Sequence, residues 1–545
     1  MNLKKRLTRE LAEATNSAFS IDHLPPIHIS PPKNPTFGDL SSNLPLLIAK
    51  LVNENPIAAG ERLKSSLKID PAIVTKVSIT KPGFINFHIS PLYYQSLLQR
   101  ILDGVDGFQG GVVTGKSKKA IVEFVSANPT GPLSIGHGRQ AVLGDCVANI
   151  LAWHGYKITR EYYYNDAGRQ MRLLADSVEA RYREQVGETM DFPEDGYQGD
   201  YIRDLAKNIL EEFGNKLTLN DPVFRSYSED KIFREIKAVL ESIHINFDNF
   251  ANERDYYESG AIDTVIKKLR DKDLIYDADG ATWFRVTALG KPQDRVLIKS
   301  SGEPTYRLPD IAYHIHKVER EFDLIVDIFG ADHQDTFPDV LAGVENLGYP
   351  TEHIKVLIHQ FVTLTKGGEK VKMSTRKATF VTLEELIDRF GPDVVRYFFI
   401  MRGMNSHLNF DMALAADQSE NNPVYYLQYA HARICNIIKH GEREGVKSIT
   451  GFTKEKLEHP SELALIRSLA NFPDVLDSVL ETLEPQVVAN FLQSLATHFH
   501  KFYADCRVIT SDKHLSKARL ALVSAVKAVL GNGLDILGIH APSKM

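Results

Sequence analysis

The segment from residue 126 to residue 139, SANPTGPLSIGHGR, combines glycine, proline and one histidine between two apolar stretches. It follows the apolar run AIVEFV and precedes a helical pattern, so it lies where a strand ends and a helix begins. In an open α/β sheet ligands bind at that point, and the first helical turn attracts phosphate. Gly136 and Gly138 allow a close backbone approach, and His137 can donate hydrogen bonds to phosphate oxygens. An ordinary turn with a core histidine is the alternative, because the segment contains neither GxxxxGK[ST] nor GxGxxG.

A second candidate is the basic loop from residue 366 to residue 377, KGGEKVKMSTRK. Two glycines stand among five lysine and arginine residues, so the loop is able to close on an anion. Cations placed in this way stabilise the charge that develops on a transferring phosphoryl group. A solvated basic loop is the alternative interpretation of the same segment.

A sheet must position these two loops, and the surrounding pattern predicts one. AIVEFV (120–125), a helical stretch that ends at Gly155 and the run KITREYYY together indicate a βαβ unit. The charged, helix-patterned residues 170–294 predict an insertion into one doubly wound domain. Three later apolar runs are typical of buried parallel strands: RVLIKS (295–300), DLIVDIFG (323–330) and KVLIHQFVTL (355–364).

The regions on either side follow other patterns. Residues 1–110 combine helical stretches, a proline-rich loop and two short β runs around Lys81-Pro82-Gly83, which predicts a small mixed domain. The Gly-rich segment 103–119 indicates a boundary. Beyond Pro392 the pattern is almost entirely helical, with apolar stripes typical of a helix bundle.

Composition excludes several classes of protein. With 43% apolar and 25% charged residues, the chain of 545 residues has the balance of a soluble globular protein. It has no apolar run of 18 residues for a membrane-spanning helix, and its N-terminus lacks the apolar stretch of a secretory signal. Three cysteines without a CxxC pair indicate neither a disulfide framework nor a cysteine zinc site. The net charge of −6 argues against binding nucleic acid through bulk positive charge, although local patches decide contact.

Longer strings identify a family. PLSIGHGR and VKMSTR resemble the HIGH and KMSKS signatures of class I aminoacyl-tRNA synthetases. VEFVSANPTGPLSIGHGR, YYYNDAGRQ, GADHQ, NPVYYLQYAHARI and the terminal GIHAPSKM narrow the likeness, because they resemble the arginyl-tRNA synthetase family. The resemblance runs from about residue 30 to the last residue, with the motifs in family order.

The resemblance implies three parts with different roles. A Rossmann-like, parallel-sheet α/β catalytic domain with an insertion at about 170–294 would occupy residues 115–395. A small α+β domain at 1–110 would contact tRNA, and an α-helical bundle at 396–545 would bind the anticodon.

It also implies a two-step ligation of L-arginine to its tRNA. Arginine and ATP form arginyl-adenylate and pyrophosphate, and the arginyl group then passes to the terminal adenosine of the tRNA with release of AMP. In this family the first step typically requires bound tRNA. We further expect Mg²⁺ with the ATP, no membrane partner, and a cytoplasmic monomer.

Family likeness assigns five residues to the arginine substrate: Glu123, Asn128, Tyr306, Asp310 and Gln334. The two carboxylates would hold the planar guanidinium with Tyr306 beside it, while Asn128 and Gln334 would hold the α-amino end. A cation with five N–H donors requires such carboxylates, and the compact ammonium of lysine cannot satisfy two separated ones at once. The alternatives are a helix N-cap for Asp310 and a structural ion pair for Glu123.

The same likeness assigns the ATP contacts: Gly136, His137, Gly138, Asp332 and Lys372. Asp332 would lie near the ribose hydroxyls and Lys372 near the phosphates. The catalytic set would be Ser134, Gly136, His137, Lys372 and Ser374. No dedicated metal cage is visible in the sequence.

Two positions depart from the family signatures. Ser134 replaces the first histidine of HIGH, and Thr375 replaces the second lysine of KMSKS. Losing one positioned donor costs roughly 2.7–4 kcal/mol in a transition state, so we expect slower activation rather than inactivity. Lys366, Lys370 or Arg376 are the candidates to replace the missing charge.

Two other functions fit part of the sequence. Another class I synthetase or nucleotidyl transferase is disfavoured by the paired carboxylates, and a tRNA-binding paralogue without catalysis has only Ser134 and Thr375 in its support. The KPGFINFHIS region around Asn86 and Phe87 resembles the family's N-terminal motif, and we expect this domain to touch tRNA without assigning the contact to a particular residue. In the helical region, five side chains are able to stack on or bond to unpaired bases, and packing of the tyrosines inside the bundle is the alternative: Tyr425, Tyr426, Gln428, Tyr429 and Arg433.

Overall fold

The computed structural model describes residues 3–21, 23–104, 108, 117–166, 168–371, 381–446 and 449–545. Its first part is a small α+β unit in which a three-stranded antiparallel sheet, in the order β1-β3-β2, packs against helices. The two β runs expected around Lys81-Pro82-Gly83 are confirmed as the β2–β3 hairpin. The elements are α1 (Leu3–Ala18), β1 (Leu40–Ser42), α2 (Leu44–Val52), α3 (Pro56–Ser66), β2 (Val74–Thr80), β3 (Phe84–Ile89) and α4 (Pro91–Leu102).

The central part contains the parallel sheet. Its first half consists of β4 (Lys119–Glu123), α5 (Ile135–Trp153), β5 (Lys157–Tyr164), α6 (Gly168–Val186), α7 (Asp200–Phe213), α8 (Pro222–Ser242), β6 (Asn249–Asn252), α9 (Glu253–Glu258), α10 (Ala261–Asp271), β7 (Ile275–Ala278), β8 (Ala281–Phe284) and β9 (Arg295–Ile298). Its second half consists of α11 (Arg307–Glu319), β10 (Leu324–Gly330), α12 (Phe337–Asn346), β11 (Ile354–His359), β12 (Val362–Lys366), β13 (Glu369–Lys370), α13 (Leu383–Phe390), α14 (Pro392–Ile400), β14 (Leu408–Asp411) and α15 (Met412–Ala416).

Five described strands form this sheet in the order β11-β10-β4-β5-β6, and every neighbouring pair is parallel. The chain starts in the middle at β4, proceeds outward through β5 and β6, and returns on the other side of β4 with β10 and β11. The carboxyl ends of β4 and β10 therefore border the point where the strand order reverses, which is where open α/β sheets bind ligands. The predicted α/β class and the βαβ unit β4-α5-β5 are confirmed.

Three details differ from the sequence expectations. RVLIKS forms β9, which pairs antiparallel with β8 in a separate sheet of β7, β8 and β9, so the parallel assignment is wrong. KVLIHQFVTL is divided between β11 and β12, and β12 pairs with β13 and β14 in a further sheet. The segment 170–294 also contributes the edge strand β6 to the parallel sheet, a strand that the sequence did not predict.

The last part of the chain is helical. It consists of α16 (Pro423–Arg443), α17 (Pro460–Ala470), α18 (Phe472–Thr482), α19 (Gln486–Asp505) and α20 (Lys513–Ile536). Asn422 caps α16 by accepting from the Val424 amide, which agrees with the expected cap at Asn421 or Asn422. The expected boundary at residue 396 falls inside α14, and β14 still pairs with β12 beyond it. Over the described residues, every helix is too short or too polar to cross a bilayer.

Helix α5 is buried on nearly all sides because it lies between the sheet and the helices α13, α14, α18 and α20. Near its start the fully buried Arg139 donates to the carbonyl oxygens of Gln360 at 2.6 Å, Gly403 at 3.0 Å and Ser406 at 3.1 Å. These bonds attach the first turns of α5 to the loop after β11 and to the segment that leads into β14.

A second buried arginine joins four elements. From α14, Arg396 donates to the Asp145 carboxylate of α5 at 2.6 Å and to the carbonyl oxygens of Ile243 at 2.9 Å and Leu537 at 3.0 Å. The residues Ile243 and Leu537 terminate α8 and α20. Arg396 thus holds the sheet region and the end of the last helix together from inside the protein.

We expect Arg396→Met to lower the stability of this junction by about 3–5 kcal/mol, because it leaves the buried Asp145 carboxylate without its Arg396 partner. Urea unfolding followed by far-UV circular dichroism measures the effect as a lower midpoint. Lys207→Met, which removes an exposed pair with Glu211 on α7, is the control and should leave the midpoint nearly unchanged. Equal midpoints for the two variants would contradict a structural role for Arg396.

Candidate functional site

A cavity of about 1170 Å³ opens over the carboxyl ends of β4, β5, β10 and β11. Its walls come from the loop after β4, the first turn of α5, the first turn of α11 and the segments that follow β10 and β11. Ten of the residues proposed from the sequence for arginine, ATP or catalysis can be compared with its lining. Those that line it are Glu123, Asn128, Ser134, Gly136, His137, Tyr306, Asp310 and Asp332, and Gly138 and Gln334 are absent from the wall.

The start of α5 is closed by a reciprocal cap. The His137 amide donates to the Ser134 hydroxyl at 3.4 Å, and the Ser134 amide donates to Nδ1 of His137 at 3.3 Å. Because Nδ1 accepts, the ring proton of neutral His137 lies on Nε2, which is free to act as a donor. Burial lowers the pKa of His137, so the imidazole is neutral at physiological pH. The helix start therefore offers the cavity an N–H donor together with the positive end of the helix dipole.

Gly138 does not line the cavity, and its expected contact with ATP stays a prediction. It is buried against Leu383 and Phe399, and a β-carbon at this position would lie 2.6 Å from Leu383 Cδ1 and 3.0 Å from Phe399 Cε2. Gly136 faces the cavity instead, and a β-carbon there would meet only the Ser134 hydroxyl at 3.6 Å. The second glycine of the motif is thus required for helix packing.

Glu123 ends β4 with a buried carboxylate whose two oxygens already have partners. The Ser126 hydroxyl donates to Oε1 at 2.8 Å, and the Lys317 ammonium contacts Oε2. The structural ion pair that was the alternative for Glu123 is therefore present. A carboxylate has about four acceptor positions, so Glu123 keeps acceptor capacity toward the cavity that it lines.

Asp310 has a different environment. It lies in the first turn of α11, but the N-cap position belongs to Tyr306, which excludes the N-cap alternative for Asp310. Within the part of the chain that the structure describes, no group donates a hydrogen bond to the Asp310 carboxylate, which is half-buried in the cavity wall. Burial and the nearby Glu123 charge raise the pKa of Asp310 to about 6. An open, ionisable carboxylate of this kind suits a cationic ligand.

The remaining predicted residues are divided between the cavity and its surroundings. Asn128 lines the wall and donates to the Gln170 side chain. Tyr306 is 59% exposed at the mouth. Asp332 is exposed in the turn after β10. Gln334 is exposed beyond it and outside the cavity wall, so its contact with the substrate stays a prediction.

Lys372 and Ser374 lie outside the described residues, as does Thr375. The neighbouring Lys366 and Lys370 are at the ends of strands β12 and β13 and exposed. The contribution of the basic loop to the site therefore stays a prediction.

The sequence did not identify several aromatic side chains that line the cavity. Tyr201 donates to the Thr130 carbonyl at 2.7 Å and thereby ties the first turn of α7 to the loop after β4. Phe361 presents a ring that is 60% exposed. The further missed lining residues are Tyr163, Tyr197, His359 and Tyr313. The recurring tyrosines of YYYND and GYQGDY were the available signal, although tyrosine is equally common in cores.

Comparisons with known proteins give consistent relatives for every part. The family descriptions "Arginyl tRNA synthetase N terminal domain", "tRNA synthetases class I (R), catalytic domain" and "DALR anticodon binding domain" match residues 1–89, 98–392 and 427–545. Curated proteins named arginine–tRNA ligase from Desulfotalea psychrophila and Chlorobaculum tepidum are each 49% identical. They align over 94% and 95% of this chain and 94% and 96% of their own lengths.

Solved structures agree with this likeness at the level of the fold. The Thermus thermophilus arginyl-tRNA synthetase superposes with a TM-score of 0.77 at 20% identity over all of both chains. The Plasmodium falciparum arginyl-tRNA synthetase gives a TM-score of 0.76 at 19% identity over 99% of each chain.

We expect Gly138→Ala to destabilise the protein by about 1–3 kcal/mol, because the added methyl overlaps Leu383 and Phe399. Gly136→Ala is the matched control, since its methyl enters open cavity space. Thermal unfolding should show a lower midpoint for Gly138→Ala and an unchanged midpoint for Gly136→Ala. Unchanged midpoints for both would show that the packing around Gly138 relaxes without cost.

Proposed function

This chain belongs to the arginyl-tRNA synthetase family, and from that membership we infer that it is an arginine–tRNA ligase. It joins L-arginine to tRNA in two steps. The arginine carboxylate attacks the α-phosphorus of ATP and pyrophosphate leaves; a hydroxyl of the terminal adenosine then attacks the acyl carbon of arginyl-adenylate and AMP leaves. The observation that carries the assignment to this cavity is the open Asp310 carboxylate beside the buried Glu123 at the reversal point of the sheet.

We propose that Asp310 binds the substrate guanidinium with Glu123 as a second acceptor. The guanidinium keeps its charge at every physiological pH and has five N–H donors, so an ionised carboxylate and a nearby acceptor complement it. The exposed Tyr306 ring is available to lie beside the head group. Asn128, on the loop after β4, is available to the α-amino end, and for Gln334 such a role requires the turn after β10 to move inward.

For ATP, the favourable surface is the start of α5. The Nε2–H of His137 and the positive end of the helix are suited to the triphosphate, and the Asp332 carboxylate can accept from ribose hydroxyls. Over the described residues, no group of three His, Cys, Asp or Glu side chains fits a resident metal ion. We therefore propose that Mg²⁺ enters as its ATP complex. Ser134, Gly136 and His137 contribute at this helix start, and Lys372 and Ser374 are proposed to act from the basic loop.

The residues expected to face tRNA differ in how far their side chains are exposed. Asn86 and Phe87 are buried in the first sheet, so other residues of that domain must make any contact. In α16, Gln428 is buried and donates to Asp393 and to the His540 carbonyl, which gives it a structural role. Tyr425 and Tyr426 are half-buried. The exposed Tyr429 and the Arg433 that packs over its ring border a surface cavity and are the proposed contacts to unpaired bases.

We further propose the domain limits 1–110, 115–395 and 396–545, with β14 extending the contacts of the second part beyond residue 396. A monomer in the cytoplasm is the proposed state. The three cysteines support a reducing compartment, because all are buried and unpaired.

The test of the function is exchange of pyrophosphate into ATP with the purified chain. We expect exchange with arginine only when tRNA is present, because family likeness ties adenylate formation to bound tRNA. Lysine in place of arginine is the control and should give no exchange. Absence of exchange with arginine, ATP and cognate tRNA together would overturn the function and favour the tRNA-binding paralogue that Ser134 and Thr375 suggested.

We expect Asp310→Asn to raise the KM for arginine about 100-fold, since a guanidinium loses its charged partner at a cost of about 3 kcal/mol. In the unsubstituted protein, kcat/KM for arginine should fall as the pH drops through about 6, because Asp310 binds a cation only when ionised. The Asn variant should lack that acid limb.

Asp263→Asn is the matched control, because Asp263 occupies the first turn of another helix, α10, outside the cavity. Its KM and pH profile should equal those of the unsubstituted protein. An unchanged KM in Asp310→Asn would refute the assignment of Asp310.

A further inference from the structure

A buried lysine lies beneath the floor of the cavity. In the parallel pairing of β4 and β10, Glu123 stands opposite Asp327, so two carboxylates are adjacent at the same level of the sheet. Lys317 of α11, which is fully buried, places its ammonium between them, 2.6 Å from Asp327 and in contact with Glu123. Two buried carboxylates so close cannot both ionise without a cation.

A histidine completes the cluster. His314 has Nδ1 at 2.7 Å from the Asp310 carbonyl oxygen and Nε2 at 3.1 Å from the Asp327 carboxylate. Both partners can only accept, so both ring nitrogens carry protons and the imidazole is cationic. Burial and the Lys317 charge oppose this state, but the Asp327 carboxylate outweighs them and raises the pKa of His314.

The charges of the cluster balance without the substrate. Glu123 and Asp327 carry two negative charges, and Lys317 and His314 carry two positive charges. Asp310 is outside this balance and is the carboxylate that a guanidinium can neutralise. The other charged or titratable groups that face the cluster or Asp310 are Glu161 of β5, Glu253, Tyr256 and Tyr257 of α9, Tyr306, Tyr313 and Arg320 at α11, Tyr163 and His333.

Among the cations named here, Lys317 is the one in direct contact with Glu123. Glu161 is bound by Tyr313 at 2.8 Å and by Arg320 at 2.7 Å, so its charge is met separately. Glu253 accepts from Tyr163 at 2.9 Å. The charge of Glu123 is therefore compensated by Lys317.

We propose that Lys317 is a positioning residue for arginine recognition: from beneath the cavity it keeps Glu123 ionised and fixed, so that Glu123 acts as a preset acceptor while Asp310 supplies the balancing charge. This inference rests on the proposed function of the cavity. The inference gives the two carboxylates different roles. The charge of Glu123 is compensated by Lys317 at all times, whereas the charge of Asp310 is compensated only when the substrate binds.

The test is the pH profile of kcat/KM for arginine in tRNA-dependent pyrophosphate exchange with Lys317→Met. Without the ammonium, the carboxylates of Glu123 and Asp327 lie side by side with no cation between them, and Asp310 loses a positive charge that lowers its pKa, so the carboxylates of the site ionise together only at higher pH. The acid limb should therefore move upward by at least one pH unit. At pH 6.5 we expect a loss of tenfold or more that recovers toward pH 9, whereas a purely structural defect lowers kcat/KM equally at every pH.

Arg396→Met is the matched control, because it also removes the cation of a buried ion pair but lies outside the cavity. It should lower stability without moving the acid limb. If Lys317→Met does not fold, the double variant Glu123→Gln/Lys317→Met removes both charges together. Its acid limb should lie at or below that of the unsubstituted protein, and an upward displacement there would overturn the proposal.

The two hypotheses fail in different ways. An unsubstituted chain that shows no arginine-dependent exchange would overturn the proposed function. An active Lys317→Met variant whose acid limb stays in place would overturn the role of Lys317 alone.

Discussion

A carboxylate can bind a guanidinium in a closed cavity only if the protein keeps it ionised away from water. The sheet makes this harder, because the register of β4 and β10 places Glu123 beside Asp327. Helix α11 meets the requirement with residues on one face: Asp310, His314 and Lys317, at intervals of four and three. The last two neutralise the buried pair, and the first remains open to the cavity. The carboxylate that we propose for arginine recognition and the two cations that compensate the buried pair thus come from one helix, so its geometry fixes their relative positions.

Helix α5 connects this cavity with the helical end of the chain. Its first turn lines the cavity, its Asp145 binds Arg396, and its Asn149 donates to the Ile536 carbonyl at the end of α20 at 3.2 Å. A displacement of α20 against the sheet must break these hydrogen bonds or carry α5 with it. Because α5 is buried on nearly all sides, it has little room to adjust by bending. The position of the last helix and the shape of the cavity are therefore mechanically linked.

The sequence predicted those parts of the fold that depend on residue patterns within one short stretch of the chain. The unit β4-α5-β5 follows from an apolar run, a loop and a helical stripe. The strand β6 was missed because Asn249–Asn252 is four residues long, contains two asparagines and is stabilised by pairing with β5. The run RVLIKS was assigned to the wrong sheet because an apolar run does not specify the direction of its neighbour.

Within the site, the motifs identified the cavity but did not specify which side chains face it. Gly138 belongs to the motif and packs against α13 and α14, and Gln334 belongs to GADHQ and remains at the surface. Lys317 was missed because fully buried lysines are rare, so that composition argues against one. The available signal was the spacing of Asp310, His314 and Lys317 on a predicted helix.

The departure at Ser134 is explained by the start of the helix. Serine is among the best N-cap residues, and here its hydroxyl accepts the His137 amide while its own amide donates to the His137 ring. That second bond assigns the ring proton of His137 to Nε2, so the remaining histidine is a fixed donor. Compared with a HIGH signature that has two histidines, this helix start has one donor fewer. We therefore expect the stabilisation of the transition state to fall by roughly 2.7–4 kcal/mol. Serine at this position therefore caps the helix and leaves His137 in place with its proton on Nε2.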